Sequence, residues 1–197
     1  MKKINYCILI ISFLGMFVMV SCGGGDYTPK PQAYLRIDMP DHDYALCDTM
    51  GLPFTFEKST LAGITLKKRT SGETWVDLNY PQWQGVVFLT YRRLRGAADL
   101  RGQTDTSMRL MESHHQLATG VDEHLYVSDD GAVHAVTWHI KGRQVASTYQ
   151  FYATDSLHHF LRGALYLDRS PNNDSLSPVL NYLQADLDHL VETLRWR

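Results

Sequence analysis

The nine histidines are the residues of this sequence that could most readily do chemistry, as metal ligands or as general bases. His114 and His115 are adjacent in a predicted helix, so their side chains project about 100° apart. His158 and His159 are adjacent in a predicted strand and point to opposite faces. The chain has no His-Glu-x-x-His motif and no paired cysteines. The sequence therefore predicts no metal site.

Nucleophilic catalysis has no better support. The sequence lacks Gly-x-Ser-x-Gly and any glycine loop that would cradle a phosphate. Glu57, Asp77 and Asp155 could meet as carboxylates, but no spacing pairs them. Cys47 has no intramolecular partner in the mature protein, and such a residue is more often a small buried apolar group. We expect no enzyme, no catalytic residues and no cofactor.

One stretch, residues 150–166, is nonetheless dense in unusual residue choices. Thr154-Asp155-Ser156 can form a side-chain-bonded turn between two antiparallel strands. Arg162 lies among apolar neighbours and requires an acidic partner, for which Asp155 and Asp174 are candidates. The stretch is then either a structural ion pair that fixes a hairpin or a recognition surface for a protein partner, with the structural interpretation favoured.

The N-terminus predicts an exported lipoprotein. Lys2 and Lys3 precede an apolar run too short to span a bilayer, and a small residue, Ser21, stands immediately before Cys22. We predict a signal peptide at 1–21, acylation of Cys22, a flexible tether at 22–33 and one domain at 34–197. The fatty acyl chains of Cys22 would attach that domain to a membrane.

The charge of the chain narrows the choice of partners. Its formal net charge is −2, and the sequence shows no evident basic stripe or patch. Nucleic acid and anionic lipid surfaces are therefore not expected as main partners.

The elements that would position these residues are mostly strands. Alternation and β-branched runs predict strands at 34–39, 54–57, 63–67, 75–78, 86–91, 125–128, 133–141, 144–153 and 158–167, of which 54–57 and 63–67 look like a pair. Asp105 or Thr106 could cap a helix that runs to about Thr119 and ends at Gly120, with an apolar stripe formed by Leu110, His114, Leu117 and Val121.

The C-terminal helix is the clearest element. Ser177 is the expected cap and Pro178 the first helical residue, while Asp186, Asp188 and Glu192 are expected to face water. Six leucines at spacings of three and four share one face: Leu176, Leu180, Leu183, Leu187, Leu190 and Leu194. The stripe is long enough to suggest a coiled-coil partner, but a helix lying on its own sheet is favoured because only this one segment carries such a stripe.

Strand runs with intervening helices predict an α+β fold, with an antiparallel sheet sandwiched by helices and a long C-terminal amphipathic helix. This order resembles the fold shared by the photosystem II extrinsic protein PsbP and the nuclear import factor Mog1. Such a resemblance carries no function with it.

The sequence also resembles the gliding motility lipoprotein GldD family of the Bacteroidota. The likeness is carried by residues 27–31, 36–38, 54–57, Ala146-Ser147, Gln150-Phe151, 154–156, 159–166, Pro171-Asn172, 174–176, Pro178 and Trp196. It draws attention to a set of candidate interaction or structural residues: Gln150, Thr154, Asp155, Ser156, His159, Phe160, Arg162, Gly163, Asn172 and Asp174.

What the resemblance implies is a component needed for gliding motility or for the type IX secretion machinery, acting through protein contacts. The residues after Cys22 lack the acidic cluster of surface-exported lipoproteins in this phylum, so the domain is expected to face the periplasm. The alternative is a periplasmic module that binds a small ligand or cell-wall fragment with Trp75, Trp83, Trp138 and Tyr166, above Arg162.

Overall fold

The computed structural model describes residues 37–49, 51–68, 72–114, 116–168 and 172–197. The predicted signal peptide, Cys22, the tether, His115 and Pro171 lie outside these residues. The described part of the chain forms these strands and helices: β1 (Tyr44–Cys47), β2 (Phe54–Ser59), β3 (Gly63–Lys68), β4 (Thr74–Tyr80), β5 (Gly85–Arg93), α1 (Ala97–Glu112), β6 (Gly120–Val127), β7 (His134–Lys141), β8 (Tyr149–Thr154), β9 (His159–Leu167), α2 (Asn173–Thr193) and β10 (Arg195–Trp196).

Seven of the strands make one antiparallel sheet in the order β3-β4-β5-β9-β8-β7-β6. A smaller sheet has the order β1-β2-β10. The segments 54–57 and 63–67 are strands as predicted, but the prediction that they pair with each other is wrong. β2 pairs with β1 and with the C-terminal β10, whereas β3 pairs with β4. Alternation specifies which face of a strand is buried and does not specify which strand lies beside it.

The two helices contact opposite faces of the large sheet. The leucines of α2 pack with Val76, Leu89 and Phe151 in the main core. Met111 of α1 packs with Trp138, Ile140 and Val145 in a second cluster. Trp138 and Ile140 point away from the main core because successive strand residues alternate between faces. The predicted α+β fold, with antiparallel strands and one C-terminal helix, agrees with this architecture.

The leucine face of α2 is confirmed. Leu176 packs partly against the core, and the other five predicted leucines are buried there. The start of the helix differs from the prediction, since Asn172 precedes the first turn and Pro178 lies inside the helix. The proline has no N–H for the carbonyl of Asp174 four residues earlier. Asp186 does not face water as predicted, for only 1% of it is exposed.

The position of α1 also differs from the prediction. The helix spans Ala97–Glu112, so Asp105 and Thr106 lie in its interior, and the Thr106 hydroxyl donates to the carbonyl of Gly102 at 2.7 Å. Ser107 and Met111 are its buried residues, while Leu110 is exposed. Gly96 immediately precedes the helix with φ +123°, a conformation that glycine adopts without a steric penalty.

Three further boundaries of strands and helices differ from the predicted ones. Residues 37–39 of the expected first strand are not in a strand, and β1 begins at Tyr44. Gly120 begins β6 instead of ending a helix. β8 begins at Tyr149, not at Gln144, because the chain after Gly142 makes a longer loop. Asp129 and Asp130 form the turn between β6 and β7, and Gly131 follows with φ +67°.

Candidate functional site

The connection between β8 and β9 contains the predicted side-chain-bonded turn. Oδ1 of Asp155 accepts three backbone hydrogen bonds, from Leu157 at 3.0 Å and from His158 and His159 at 2.8 Å each. Oγ1 of Thr154 donates to the carbonyl of His159 at 2.6 Å and accepts the N–H of Ser156 at 2.9 Å. Ser156 takes the left-handed φ of +66°. Two short polar side chains thus determine the path of the backbone.

The electrostatics of the turn follow from these bonds. Burial raises the pKa of the Asp155 carboxyl, but the N–H groups of His159, His158 and Leu157 outweigh that effect and lower it overall. Asp155 therefore stays ionised at neutral pH. The turn presents Leu157 outward, with 66% of the residue exposed.

His159 joins this turn to neighbouring elements. Its Nδ1 lies 2.9 Å from the hydroxyl of Tyr91, and its ring stacks on Trp196 with centroids 5.1 Å apart. Burial lowers the pKa of His159, and the charges of His158 and Arg93 lower it further against the opposing effect of Asp155. His159 is therefore a neutral imidazole packed against an aromatic ring, and its role is structural.

Gln150 and Arg162 meet on the face of the sheet that α1 contacts. Nη2 of Arg162 donates to Oε1 of Gln150 at 2.8 Å, and burial lowers the pKa of the guanidinium. The expected carboxylate partners are engaged elsewhere. Asp155 binds the backbone of its own turn, and Asp174 lies 3.9 Å from Arg143. The Nε2 atom of Gln150 is buried without a hydrogen-bond partner.

The remaining predicted residues fall into two groups. Phe160 is buried, and its ring stacks on that of Tyr152 with centroids 5.4 Å apart. Gly163 faces the ring of Phe151 in the main core. Asn172 and Asp174 lie at the start of α2, where Asn172 accepts a bond from Nε of Arg143 at 3.2 Å. The candidate residues therefore build a turn, its supporting strands and a separate helix start.

The four aromatics of the alternative hypothesis do not line one pocket. Trp83 packs on Tyr182 of α2, whereas Trp138 is buried and donates to Glu123 at 2.7 Å. Trp75 lines a shallow cavity of about 300 Å³ with Asp77, Phe88, Leu89 and Thr90. The ring of Tyr166 contacts the ring of Phe88, which lines that cavity, with centroids 5.9 Å apart.

Sequence reasoning missed a buried carboxylate on α2. Asp186 lies 2.7 Å from Nδ1 of His42, and its other oxygen accepts the hydroxyl of Tyr80 at 3.3 Å. Burial and the charge of Asp186 raise the pKa of Tyr44 to about 12. His42 in turn stacks on Tyr182 with centroids 4.0 Å apart. This cluster ties the segment before β1 to α2, and no local pattern in the sequence indicates it.

A second missed feature is a positively charged cavity beside the turn. It has a volume of about 520 Å³ and is lined by Gly72, Arg92, Arg93, Leu94, Arg95 and Asp99. No basic patch is evident in the charge pattern, although Arg92, Arg93 and Arg95 place three arginines within four residues. We call this cavity the arginine pocket.

Within the described ranges, no group of three or more His, Cys, Asp or Glu side chains is arranged to hold a metal ion. Neither helix of the described chain is long and apolar enough to cross a membrane.

A comparison with protein-family models matches residues 24–196 to the family described as gliding motility lipoprotein GldD. A search of curated proteins found no match. The match covers every described element, including the β8–β9 turn and α2. The chain therefore belongs to the gliding motility lipoprotein GldD family.

Proposed function

We propose that the protein is a non-enzymatic lipoprotein that supports gliding motility, or the type IX secretion machinery, through protein contacts. The observation that carries this proposal is the family match across residues 24–196, which associates the chain with gliding. Family membership also supports attachment to an envelope membrane. The protein partners in the apparatus and the secretion role belong to the proposal.

The anchoring arrangement follows from the N-terminal sequence. A signal peptide at 1–21 would be removed, acylated Cys22 would hold the membrane, and residues 22–33 would tether a domain at 34–197. We expect that domain to face the periplasm. The likeness to the fold shared by PsbP and Mog1 is likewise a proposal, based on the order of elements alone.

The β8–β9 turn is the surface that we propose for partner contact. Leu157 is exposed, and Asp155 fixes its backbone by accepting the N–H groups of Leu157 itself and of His158. Because the backbone at Leu157 is already fixed, ordering the turn on binding costs little conformational entropy, and the exposed leucine offers an apolar contact. The other candidate residues around the turn would keep the position of Leu157 fixed.

A deletion strain tests the proposal. Colony spreading, single-cell gliding and the protein content of the medium are measured after complementation with wild type or Cys22→Ala. We expect the deletion to impair gliding or secretion, wild type to restore it and Cys22→Ala to fail because the domain is no longer attached. Immunoblotting must show both forms at equal abundance. Gliding and secretion that both persist in the deletion strain would contradict the proposal and leave a ligand-binding module as the hypothesis to pursue.

A further inference from the structure

The arginine pocket lies directly against the β8–β9 turn. The N–H of Leu94, which lines the pocket, donates to the carbonyl of His158 in the turn at 2.8 Å. β5 and β9 are paired up to Arg93 and His159, so the end of β5 is fixed relative to the turn. The cavity therefore lies beside the turn that carries the exposed Leu157.

Of the three arginines that the described residues contribute to the pocket, two are unengaged. Arg92 lies 3.6 Å from Glu73 in an ion pair. Arg93 and Arg95 are exposed, and their guanidinium groups have no hydrogen bond or ion pair with any residue that the structure describes. Each guanidinium presents a planar fork of donors that matches a carboxylate or a phosphate.

Asp99, the one carboxylate among the described residues that line the pocket, is already occupied. Asp99 accepts the backbone N–H of Arg95 at 3.1 Å and the side-chain amide of Gln103 at 3.4 Å. It thereby fixes the backbone at Arg95. The pocket keeps an excess of positive charge on a protein whose formal net charge is −2.

We propose that the arginine pocket binds an acidic segment of a protein partner, with Arg93 and Arg95 pairing its carboxylates and Leu157 contacting an adjacent apolar residue. This rests on the proposed function in protein contacts and names the chemistry of the partner. A cavity of about 520 Å³ lies within the size range of ligand-binding pockets and can admit side chains of such a segment. An anionic lipid surface is a poorer fit, because such surfaces are recognised by clusters of about four to eight basic residues.

The test uses the purified full-length lipoprotein in neutral detergent and a fluorescein-labelled hexaglutamate peptide, followed by fluorescence anisotropy. A hexaglutamine peptide is the uncharged control. We expect binding of hexaglutamate only, weakened by added salt because the pairs are solvent-exposed. Arg93→Glu and Arg95→Glu should each weaken it at least about tenfold.

The matched control variant is Arg109→Glu, which makes the same charge change in the last turn of α1, away from the pocket. It should bind hexaglutamate like wild type. All variants are compared by thermal melting, and we expect no loss of fold, since Arg93, Arg95 and Arg109 are exposed.

Three results would overturn the proposal. They are no binding of hexaglutamate, equal weakening by Arg109→Glu, or binding of glycerol phosphate without binding of hexaglutamate, which would indicate a lipid headgroup instead. These results concern the pocket alone. The gliding and secretion phenotype of the deletion strain tests the proposed function separately.

Discussion

At the scale of single residues, Asp155 controls the geometry of the β8–β9 turn. Replacing it with Ala removes the acceptor of three backbone N–H groups, and we expect a loss of about 1–2 kcal/mol in the free energy of unfolding. Asp155→Asn keeps an acceptor oxygen and should cost less than about 1 kcal/mol. Urea unfolding of both variants measures this, and equal losses would argue against the bonding described here.

The same carboxylate predicts a pH dependence. The pKa of Asp155 is lower in the folded protein than in the unfolded chain, so its contribution is complete above the unfolded pKa and is lost as pH falls through the folded pKa. The stability of wild type relative to Asp155→Asn should therefore decrease below about pH 4. Urea unfolding at pH 7, 5 and 3 provides the comparison. A difference that stays constant over this range would show that the carboxylate is not stabilised by folding.

The buried carboxylate of Asp186 leads to a prediction on the stability of the fold. Asp186→Ala leaves Tyr80 and His42 without their buried acceptor, so we expect a loss of about 3 kcal/mol in the free energy of unfolding. Glu192→Ala, an exposed position on the same helix, should change stability by less than about 0.5 kcal/mol. Equal effects in thermal or urea unfolding would contradict the buried position of Asp186.

These residues differ in how far the sequence predicts them. The turn at Thr154-Asp155-Ser156 was predictable because its hydrogen bonds connect residues at most five positions apart. The Gln150 partner of Arg162 depends on the register between two strands. The partners of Asp186, His42 and Tyr80, lie 144 and 106 residues away in the sequence. A long-range partner leaves no local pattern in the sequence. The sequence alone therefore predicts that Asp186 faces solvent on its helix.

At the scale of elements, strand β9 illustrates how close packing restricts one residue. A Cβ at Gly163 would lie 2.0 Å from the buried ring of Phe151, so Gly163→Ala should cost about 2 kcal/mol or more. Gly102→Ala in α1 meets no atom within 4 Å and should stabilise the helix by up to about 1 kcal/mol. Urea unfolding compares the two, and a neutral Gly163→Ala would show that the ring of Phe151 can move aside.

The two helices show when periodicity is informative. α2 was predictable because its leucines form one continuous apolar stripe with no competing pattern. α1 carries only a short buried face, at Ser107 and Met111, and the exposed Leu110 suggested a stripe that does not exist. A helix with so little buried surface is positioned by its tertiary contacts more than by its own sequence pattern.

At the scale of the whole molecule, the chain belongs to a lipoprotein family, and we propose that its β8–β9 turn and arginine pocket form one contact surface. The family was predictable because its residues recur in order along the chain, and the match to residues 24–196 confirms it. The surface itself was only partly predictable. The turn is local in sequence, whereas the arginines at the end of β5 come beside it only through the pairing of β5 with β9.

The measurement that tests this account most directly is gliding and secretion in the deletion strain complemented with Leu157→Arg. We expect this variant to remain folded, because Leu157 is exposed, and to fail to restore function, because a charge replaces the apolar anchor. Leu117→Arg, at an exposed leucine outside the turn, should restore function fully. Full function of a folded Leu157→Arg protein, present at wild-type abundance, would contradict the central claim that the protein acts through contacts at this turn.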